Sequence, residues 1–411
     1  MKYNLNIREV TYSLSGALDL VGIDDTLHGK RVAYMAAQLA KELNFDKDIV
    51  DDLIFIGMLH DCGVSSTDVH THLVTELDWN NSQVHSIRGF ELLKATNIYK
   101  KYALYVQYHH THWKDLPDNL TPLEKDISNI IYLVDRVDAL NAQMKDGGIK
   151  TISEIQMILK KYSDDMFSSK LVEAFLSLSS RDSFWFYLES EALEGYFLDW
   201  IEKIEEESFD FWDLKEISLM FAAVVDAKSE FTSEHSIGVS SLARYLAELF
   251  NLNEQSCEII ELAGLLHDLG KLRVEDSILN KTSALSAEER IKMNRHGFDS
   301  YVILRRIKGF KNIAYLASLH HETLDAKGYP YNLKESEIPF EARIIAIADI
   351  FQALIQDRPY REGLTINESF DVLYNMAKEG KVDLQIMEML KNNLEECYKK
   401  ATVKYSLFNT K

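Results

Sequence analysis

The sequence LHDLGK, at Leu266–Lys271, ends an apolar helical segment with a histidine and an aspartate side by side. Its first three letters occur once before, at Leu59–Asp61, which lies 207 residues earlier. Charged side chains beside a buried apolar segment are unfavourable unless a partner compensates them. The histidine–aspartate pair is therefore a candidate for binding a cation, although alone it is a weak signal, and its recurrence points to a duplicated domain.

Four further matches keep the same order in the two copies. The matched positions are His28 with His235, His85 with His296, His109-His110 with His320-His321, and Asp135 with Asp349. The spacing between partners rises from 207 to 211 and then to 214, as it does when a second copy carries two short insertions. We predict two copies, at 1–204 and 205–411, which meet near the acidic run Glu205–Glu207.

Helical periodicity runs through both copies. Apolar residues recur at steps of three and four in segments such as Val32–Leu43 and Ser241–Leu249, which is the pattern of amphipathic helices. Alternating patterns typical of strands are scarce, and glycines and prolines stand mostly between the helical segments. The sequence predicts an all-α protein of two tandem helical bundle domains that arose by internal duplication.

Composition restricts the partners. The 411 residues carry a formal net charge of −20, which repels DNA, RNA and anionic lipid over most of a surface. A small anionic substrate can still bind in a locally basic pocket. The three cysteines show no CxxC pattern, and no apolar run approaches the roughly 18 residues that span a bilayer. We expect a cytoplasmic monomer or homodimer, with no nucleic-acid polymer and no membrane as partner.

Seven residues of the second copy have side chains that bind first-row transition metals through imidazole nitrogen or carboxylate oxygen. They are His235, His267, Asp268, His296, His320, His321 and Asp349. Seven ligands are too many for one tetrahedral zinc ion, but they suit two metals that share a carboxylate. Two such metals can hold a bridging hydroxide and polarise a phosphodiester. A single histidine on an apolar face is more often an ordinary core residue, so the prediction depends on the whole set.

Three motifs give this copy a family resemblance. His267–Lys271 resembles the HD-x-GK signature of HD-superfamily phosphohydrolases, and His320–Pro330 resembles the HHExxDGxGYP signature of the HD-GYP family. Ala348-Asp349, followed by Asp357–Arg361, resembles the closing segment of that family. The resemblance covers residues 212–400. It implies a helical bundle that uses iron or manganese to open cyclic di-GMP to a linear dinucleotide.

The resemblance also implies a role for each matching residue. The ligands of one metal would be His235, His267, Asp268 and Asp349. Those of the other metal would be His296, His320 and His321, with Asp268 bridging the two. Lys271 would contact the phosphate or the nucleophile and help protonate the leaving group, and Tyr329 would face the substrate near a guanine. Arg358 and Arg361 would bind phosphate, for which the guanidinium fork is suited.

Three positions depart from the family pattern. Ala326 stands where the first glycine of the GYP motif is usual, which restricts the loop if the backbone φ is positive there. Gln352 stands where a second aspartate usually follows Asp349, which puts one polar contact in question. Phe231 lies four residues before the first histidine, where some members place a glutamate for a third metal. We therefore expect two metals in this copy.

The first copy keeps every ligand type but loses the other motif residues. Its candidate ligands, for a possible second metal site, are His28, His60, Asp61, His85, His109, His110 and Asp135. Val64 stands in place of Lys271, Thr111 stands in place of Glu322, and no Gly-Tyr-Pro follows. Three interpretations remain open: a metal-bound regulatory half, a second phosphohydrolase or 5'-nucleotidase that acts on the linear product, and a packing partner without metal. The complete ligand set favours metal binding.

The leading interpretation of the whole chain is a metal-dependent phosphodiesterase that opens a cyclic dinucleotide, either cyclic di-GMP or 3',3'-cyclic GMP-AMP. Base selection depends on a few hydrogen bonds that the motifs do not locate, so both substrates stay open. A different HD-superfamily nucleotidase is the second interpretation, and the Gly328–Pro330 motif argues against it for the second copy. A non-catalytic nucleotide-binding scaffold is the third. Such proteins usually lose ligands or the lysine, and Lys271 is present.

Overall fold

The helical periodicity of the sequence corresponds to helices along most of the chain. The computed structural model describes residues 2–22, 27–144, 149–228, 234–357 and 362–404. Within these ranges, the strands β1 (Lys2–Leu5) and β2 (Glu207–Asp210) form one antiparallel pair, and the other regular elements are helices. The predicted all-α class is confirmed.

The chain divides into two compact units. One unit consists of Asn6–Glu206, and the other consists of Met1–Leu5 together with Glu207–Lys411. The division falls within the acidic run near which the two copies were expected to meet. β1 belongs to the second unit because it pairs with β2, an arrangement that the sequence comparison did not predict.

The helices follow one another with short connections. Those of the first unit are α1 (Ile7–Leu18), α2 (His28–Glu42), α3 (Lys47–Leu59), α4 (Thr67–Thr75), α5 (Ser82–Lys94), α6 (Ala103–Gln107), α7 (Pro122–Gln143), α8 (Ile149–Lys161), α9 (Ser169–Leu178), α10 (Asp182–Phe186) and α11 (Ser190–Ile201). Those of the second unit are α12 (Phe211–Lys228), α13 (His235–Leu249), α14 (Glu254–Leu266), α15 (Asp276–Leu279), α16 (Ala287–Asn294), α17 (His296–Leu304), α18 (Lys311–Ser318), α19 (Phe340–Ile355), α20 (Ile366–Lys378), α21 (Leu384–Asn392) and α22 (Leu394–Ala401). Short 3₁₀ turns lie at Asp19–Gly22, Lys100–Tyr102, Trp113–Asp115, Leu269–Arg273 and Glu335–Glu337.

The two units repeat one helix arrangement. α2 packs on α3 in the first unit, as α13 packs on α14 in the second. In both units the first predicted ligand is the first residue of a helix, His28 in α2 and His235 in α13. The Leu-His-Asp motif then marks the end of the following helix in each unit. The internal duplication predicted from the residue spacing is therefore confirmed.

A glycine lets the paired helices approach closely. A Cβ on Gly57 would collide with the backbone of Ala33, and a Cβ on Gly264 would collide with Ser240. The partners of the two contacts are each 207 residues apart, so the contact itself is repeated. Each glycine lies three residues before a predicted histidine ligand. The close crossing therefore positions the ends of α3 and α14, where the ligands lie.

Apolar side chains fill both units. Met35 and Leu53 are fully buried in the first unit, as are Phe221 and Phe351 in the second. This burial supplies the main favourable term in folding and makes the helices rigid supports for polar residues. In the described ranges, none of the helices has the length and apolar character needed to cross a bilayer.

Candidate metal centres

The structure brings together all seven predicted ligands of the second unit. Ligand atoms within 4.8 Å of one another form three overlapping groups: His235, His267 and Asp268; His296, His320 and His321; and His267, His320 and Asp349. They come from the first residues of α13 and α17, from just beyond the ends of α14 and α18, and from the middle of α19. All are buried except His321, which is half-buried, so protein encloses the cluster.

Hydrogen bonds to backbone carbonyls orient the histidine rings. Three rings donate from Nδ1 to the carbonyl oxygen three residues earlier, at 2.6 to 2.7 Å: His267, His296 and His320. A carbonyl oxygen only accepts, so each neutral ring carries its proton on Nδ1 and presents a bare lone pair at Nε2. This is the form of imidazole that binds a metal ion.

The bare nitrogens face one another at short range. His296 Nε2 lies 3.0 Å from His320 Nε2, and His235 Nε2 lies 3.3 Å from His267 Nε2. Burial lowers the pKa of His296 to about 4 and the pKa of His320 well below its usual value, so both rings are neutral at pH 7. Two acceptors as close as His296 Nε2 and His320 Nε2 repel each other unless a cation binds both. His267 differs: burial lowers its pKa, but the Asp268 carboxylate raises it to about 8, so a bound metal would displace a proton from this ring. The donor set therefore fits a metal ion.

Asp268 contacts both groups of histidines. Its Oδ2 lies 3.2 Å from His267 Nε2, and its Oδ1 lies 3.5 Å from His296 Nε2. Burial alone would raise the pKa of Asp268, but His267 and Lys271 hold it well below the usual range, so the group is a carboxylate. Oδ1 is buried and accepts no hydrogen bond from the described residues, a deficit that a bound cation would compensate.

Lys271 contacts the same carboxylate. Its Nζ lies 2.5 Å from Asp268 Oδ2, and its side chain is 23% exposed while that of Asp268 is 3% exposed. The turn that carries the lysine passes so close to α17 that a Cβ on Gly270 would overlap the carbonyl oxygen of His296. The glycine of the motif is thus required by packing, and it places a cation on the solvent side of Asp268.

Glu322 holds the loop that carries Tyr329. Its two carboxylate oxygens accept hydrogen bonds from the backbone N–H groups of Tyr331 and Leu333, at 2.7 and 2.9 Å. The loop folds back on the metal cluster, and the centroid of the Tyr329 ring lies 4.7 Å from that of His321. Tyr329 is half-buried, so part of its ring remains available to a substrate.

The departure at Ala326 has a structural consequence. Ala326 has a φ of +59°, in the left-handed region that L-residues rarely adopt. Asp325 closes this turn by accepting hydrogen bonds from the Thr323 hydroxyl at 2.6 Å and from the Lys327 N–H at 3.2 Å. The position therefore requires the conformation for which glycine is suited, and alanine adopts it at a cost in free energy.

The polar contact expected at position 352 is present, although glutamine stands there in place of the usual aspartate. The Gln352 side-chain oxygen accepts a hydrogen bond from His235 Nδ1 at 2.5 Å. In the first unit the corresponding bond joins His28 Nδ1 to Asp138 Oδ2 at 2.8 Å. Both acceptors lie three residues after a predicted aspartate ligand, one turn along the same helix. In the second unit the Gln352 amide oxygen thus accepts the hydrogen bond that the Asp138 carboxylate accepts in the first.

A second pair of positioning residues escaped the sequence comparison. Asp226 accepts hydrogen bonds from the backbone N–H and the hydroxyl of Ser236, at 3.2 and 2.8 Å. Asp19 accepts one from the Gly29 N–H at 2.8 Å. Each carboxylate binds the first turn of the helix that begins with a ligand histidine, where the helix dipole favours negative charge. The aspartates are 207 residues apart, and this spacing is the signal that could have revealed them.

The first unit assembles its seven predicted residues in a similar way. Ligand atoms within 4.8 Å of one another form two groups: Asp61, His85, His109 and His110; and His28, His60 and Asp61. Asp135 joins them, because its Oδ1 lies 3.3 Å from His28 Nε2. His60 Nε2 is buried without a hydrogen-bond partner among the described residues, and His85 Nε2 lies 3.2 Å from His109 Nε2. This cluster therefore fits a metal as well.

The cation beside the cluster differs between the units. Val64 stands where the second unit has Lys271. The first unit instead has Arg136, whose Nη2 lies 2.8 Å from Asp135 Oδ2. Arg136 is buried, and its Nη1 donates to two backbone carbonyl oxygens at the end of α4, at 2.7 and 2.8 Å. This guanidinium fixes a ligand and a helix end, and it has little capacity left for a substrate.

A small cavity lies beside the first cluster. A cavity of ≈ 20 Å³ is lined by His28, His60, Asp61, Val64 and His70, among others. That volume holds about one water molecule. A dinucleotide would need a considerable rearrangement to reach these ligands from this cavity.

Three residues named from the sequence lie outside the described parts of the chain: Phe231, Arg358 and Arg361. Their predicted roles stay predictions. The structure brings Lys271 and Tyr329 to the cluster of the second unit, as the resemblance implied.

Comparison with known proteins identifies related sequences for both units. Models of the HD domain match residues 27–143 and 219–386. The 3'3'-cGAMP-specific phosphodiesterase 1 of Vibrio cholerae serotype O1 is 33% identical over 406 residues, which cover 97% of this chain and 94% of that protein. The 3'3'-cGAMP-specific phosphodiesterase 3 of the same organism is 26% identical, over 89% of this chain and 90% of that protein. The cyclic di-GMP phosphodiesterase response regulator RpfG of Xanthomonas campestris pv. campestris is 35% identical, over 46% of this chain and 49% of that protein.

A solved structure has a similar fold. The crystal structure of a cyclic GMP-AMP-specific phosphodiesterase of V. cholerae has a TM-score of 0.65 and 23% sequence identity to this chain. The likeness covers 96% of this chain and 98% of that chain, and at this identity it concerns the fold. With two HD-domain matches and a relative 33% identical over nearly its whole length, the chain belongs to the HD-GYP family of HD-superfamily phosphohydrolases.

Proposed function

We propose that this protein is a metal-dependent cyclic-dinucleotide phosphodiesterase whose active site is the cluster in the second copy, 205–411. One observation carries the proposal. A single unit holds seven clustered ligands, a lysine on the shared carboxylate, and a tyrosine loop that folds onto the same cluster. The relatives that align over most of the chain are phosphodiesterases by name, which supports the same conclusion.

We propose two metals in this site. The ligands that suit one metal are His235, His267, Asp268 and Asp349, and those that suit the other are His296, His320 and His321, with Asp268 shared. Imidazole and carboxylate donors of this kind suit iron or manganese. When bound, a metal pair polarises a phosphodiester and activates a water nucleophile.

The chain's own residues prepare the reaction. The carbonyl hydrogen bonds of His267, His296 and His320 keep their Nε2 lone pairs aimed inward before a substrate arrives, so little reorganisation is needed. Lys271 holds a proton 2.5 Å from Asp268, where it can be given to the oxygen that leaves when the ring opens. Tyr329 presents an aromatic surface beside the cluster, on which a base can stack.

We infer that 3',3'-cyclic GMP-AMP is the preferred substrate and that cyclic di-GMP is the second candidate. The two relatives named cGAMP-specific that align over 97% and 89% of this chain resemble both of its units. The cyclic di-GMP phosphodiesterases of X. campestris and Thermotoga maritima align over 46% and 43% of it. The support for cyclic GMP-AMP is thus a likeness of the whole chain. The product of ring opening would be a linear dinucleotide.

For the first unit, 1–204, we propose metal binding without cleavage of the cyclic substrate. Its ligand cluster supports metal binding, while Val64 and the small cavity argue against a cyclic dinucleotide there. A 5'-nucleotidase that acts on the linear product is the second candidate for this unit. The complete ligand set is compatible with this activity, and only the terminal phosphate of the linear product has to reach the metals.

Substitution of the shared carboxylate tests the proposal. Asp268→Ala should abolish turnover of every cyclic dinucleotide and reduce the metal content measured by mass spectrometry, while circular dichroism shows an unchanged helical fold. Asp61→Ala, the matched change in the first unit, should leave cleavage of the cyclic substrate intact. Normal turnover by Asp268→Ala would refute the assignment of the active site.

A further inference from the structure

The turn that carries Lys271 is bonded to a side chain of α17. Ser300 is fully buried in that helix. Its hydroxyl accepts a hydrogen bond from the Gly270 N–H at 2.9 Å and donates one to the carbonyl oxygen of His267 at 2.8 Å. One hydroxyl thus joins α17 to the backbone on both sides of Asp268.

Two further side chains contact the same turn. Lys228, which is buried at the end of α12, donates a hydrogen bond to the carbonyl oxygen of Leu272 at 2.9 Å. Arg273 is the last residue of the turn, and its Nε lies 3.2 Å from Oδ2 of Asp299, a buried residue of α17. The chain before and after Lys271 is thus held to neighbouring helices.

The first copy repeats the close approach of the turn but not the side chains that bind it. A Cβ on Gly63 would overlap the carbonyl oxygen of His85, as one on Gly270 would overlap that of His296. The matched residues are Gly89 for Ser300, Val21 for Lys228 and Ser66 for Arg273. Glycine and valine side chains have no polar atom that could form the first two contacts. Within one chain, the side chains that bind the turn thus accompany Lys271 and are replaced in the copy that has a valine there.

The position of the turn determines where the ammonium group of Lys271 lies. Its Nζ lies 2.5 Å from Asp268 Oδ2, and its side chain is partly exposed. Lysine has a flexible four-carbon side chain, so the ammonium group keeps one place more reliably when the backbone that carries it is fixed. A displacement of about 1 Å near a reacting group can lower a rate about 100-fold. A residue that fixes this turn can therefore affect the reaction without touching the substrate.

We propose that Ser300 is a positioning residue of the active site, which fixes the Leu269–Arg273 turn on α17 and thereby holds Lys271 against Asp268. The inference rests on the proposed function, in which Lys271 gives a proton to the oxygen that leaves when the ring opens. That proton is needed in the transition state and not for substrate binding. Loss of the Ser300 hydroxyl should therefore lower kcat and leave KM and the metal content close to those of wild type.

The test uses two substrates that differ in their need for a proton. The leaving group of a cyclic dinucleotide is a ribose oxygen, which needs one, whereas the nitrophenolate of bis(4-nitrophenyl) phosphate leaves without one. With manganese-loaded Ser300→Ala and cyclic GMP-AMP or cyclic di-GMP, kcat should fall roughly 10- to 100-fold and KM should stay within about twofold of wild type. With bis(4-nitrophenyl) phosphate, kcat should stay within about threefold of wild type. Lys271→Ala should show the same contrast between the substrates to a greater extent.

Two further variants complete the test. Ser369→Ala is the matched control, because it removes a fully buried hydroxyl of α20 that has no hydrogen-bond partner among the described residues. It should match wild type on both substrates. Asp299→Asn weakens the contact to Arg273 and keeps the shape of the side chain. It should show the same contrast as Ser300→Ala to a smaller extent.

The other outcomes separate this inference from the proposed function. Unchanged kcat of Ser300→Ala on the cyclic substrate would show that its hydroxyl does not position Lys271. An equal fall on both substrates, or loss of metal measured by mass spectrometry, would mean that the hydroxyl supports the metal site as a whole and not the lysine. Each of these results would overturn the inference and leave the proposed function standing. Absence of ring opening by metal-loaded wild type would instead refute the proposed function itself.

Discussion

The Nε2 atoms of His296 and His320 lie 3.0 Å apart, and the Nδ1–H of each ring donates a hydrogen bond to a backbone carbonyl oxygen. Without a cation, this contact brings two lone pairs together in a buried site. A bound cation would take both nitrogens as ligands and remove the repulsion. The fold thus maintains, through the carbonyls of Met293 and Ala317, an arrangement that only a bound metal stabilises.

Metal removal should therefore lower the stability of the protein. Chelator-treated protein should melt roughly 5–10 °C below protein reloaded with manganese(II) or iron(II), because ligand present at about 100 times its Kd contributes about 2.7 kcal/mol. Differential scanning calorimetry with and without metal measures the difference. His296→Ala provides the control, since it removes part of the site and should show a smaller response. Equal melting temperatures for the two wild-type samples would contradict this account of the histidine pair.

Gln352 should be replaceable by aspartate but not by leucine. Gln352→Leu leaves His235 Nδ1 buried without an acceptor, which costs about 1–3 kcal/mol, and loss of such a supporting contact typically weakens metal binding 10–100-fold. Gln352→Asp recreates the contact that Asp138 makes to His28. Metal titration of the two variants is the measurement. Equal metal affinity in the leucine variant and wild type would show that the hydrogen bond does not position His235.

Ala326→Gly should stabilise the second unit by up to about 1 kcal/mol. The left-handed backbone at φ +59° costs an alanine about 1–2 kcal/mol, part of which is offset by the greater entropy of glycine in the unfolded chain. Urea denaturation measures the change. Ala223→Gly, in the interior of α12 of the same unit, is the opposite control and should destabilise by about 1 kcal/mol. A destabilised Ala326→Gly variant would mean that the alanine side chain contributes contacts that outweigh the strain.

Glu322→Ala should impair the substrate loop and leave the metals in place. The change removes both acceptors for the Tyr331 and Leu333 N–H groups, and hydrogen bonds to a charged group contribute about 1.5–3 kcal/mol each. We expect kcat/KM to fall roughly 10–100-fold, with metal content unchanged by mass spectrometry. Glu322→Gln keeps one acceptor oxygen and should fall between the alanine variant and wild type. Loss of metal from Glu322→Ala would instead make Glu322 part of the metal site.

The residues that cluster could be predicted from the sequence because the duplication presents the same pattern twice. A match between two single residues or two short motifs is a weak signal. The match of His28 with His235 and that of Leu59–Asp61 with Leu266–Asp268 become a strong signal because they share a spacing of 207 residues. The helices could be predicted because apolar residues recur at steps of three and four in both copies. The structure shows which side chains meet in space, and spacing in the sequence alone does not give this information.

Contacts through the backbone could not be predicted in this way. Glu322 binds N–H groups nine and eleven residues later, and its residue type gives no indication of that. Gln352 keeps a contact because an amide oxygen can replace a carboxylate oxygen as acceptor. β1 pairs with a strand more than 200 residues away, and a strand of four residues carries no local signal for such a partner.

The most direct test of the central claim is a product analysis with wild type, His267→Ala and His60→Ala side by side. The proteins are purified without oxygen, loaded with iron(II) or manganese(II) and given cyclic GMP-AMP, cyclic di-GMP or cyclic di-AMP. The account predicts that wild type and His60→Ala open cyclic GMP-AMP to a linear dinucleotide and that His267→Ala opens none of the three. Ring opening by His267→Ala, or its loss in His60→Ala, would contradict the claim that the second cluster is the active site.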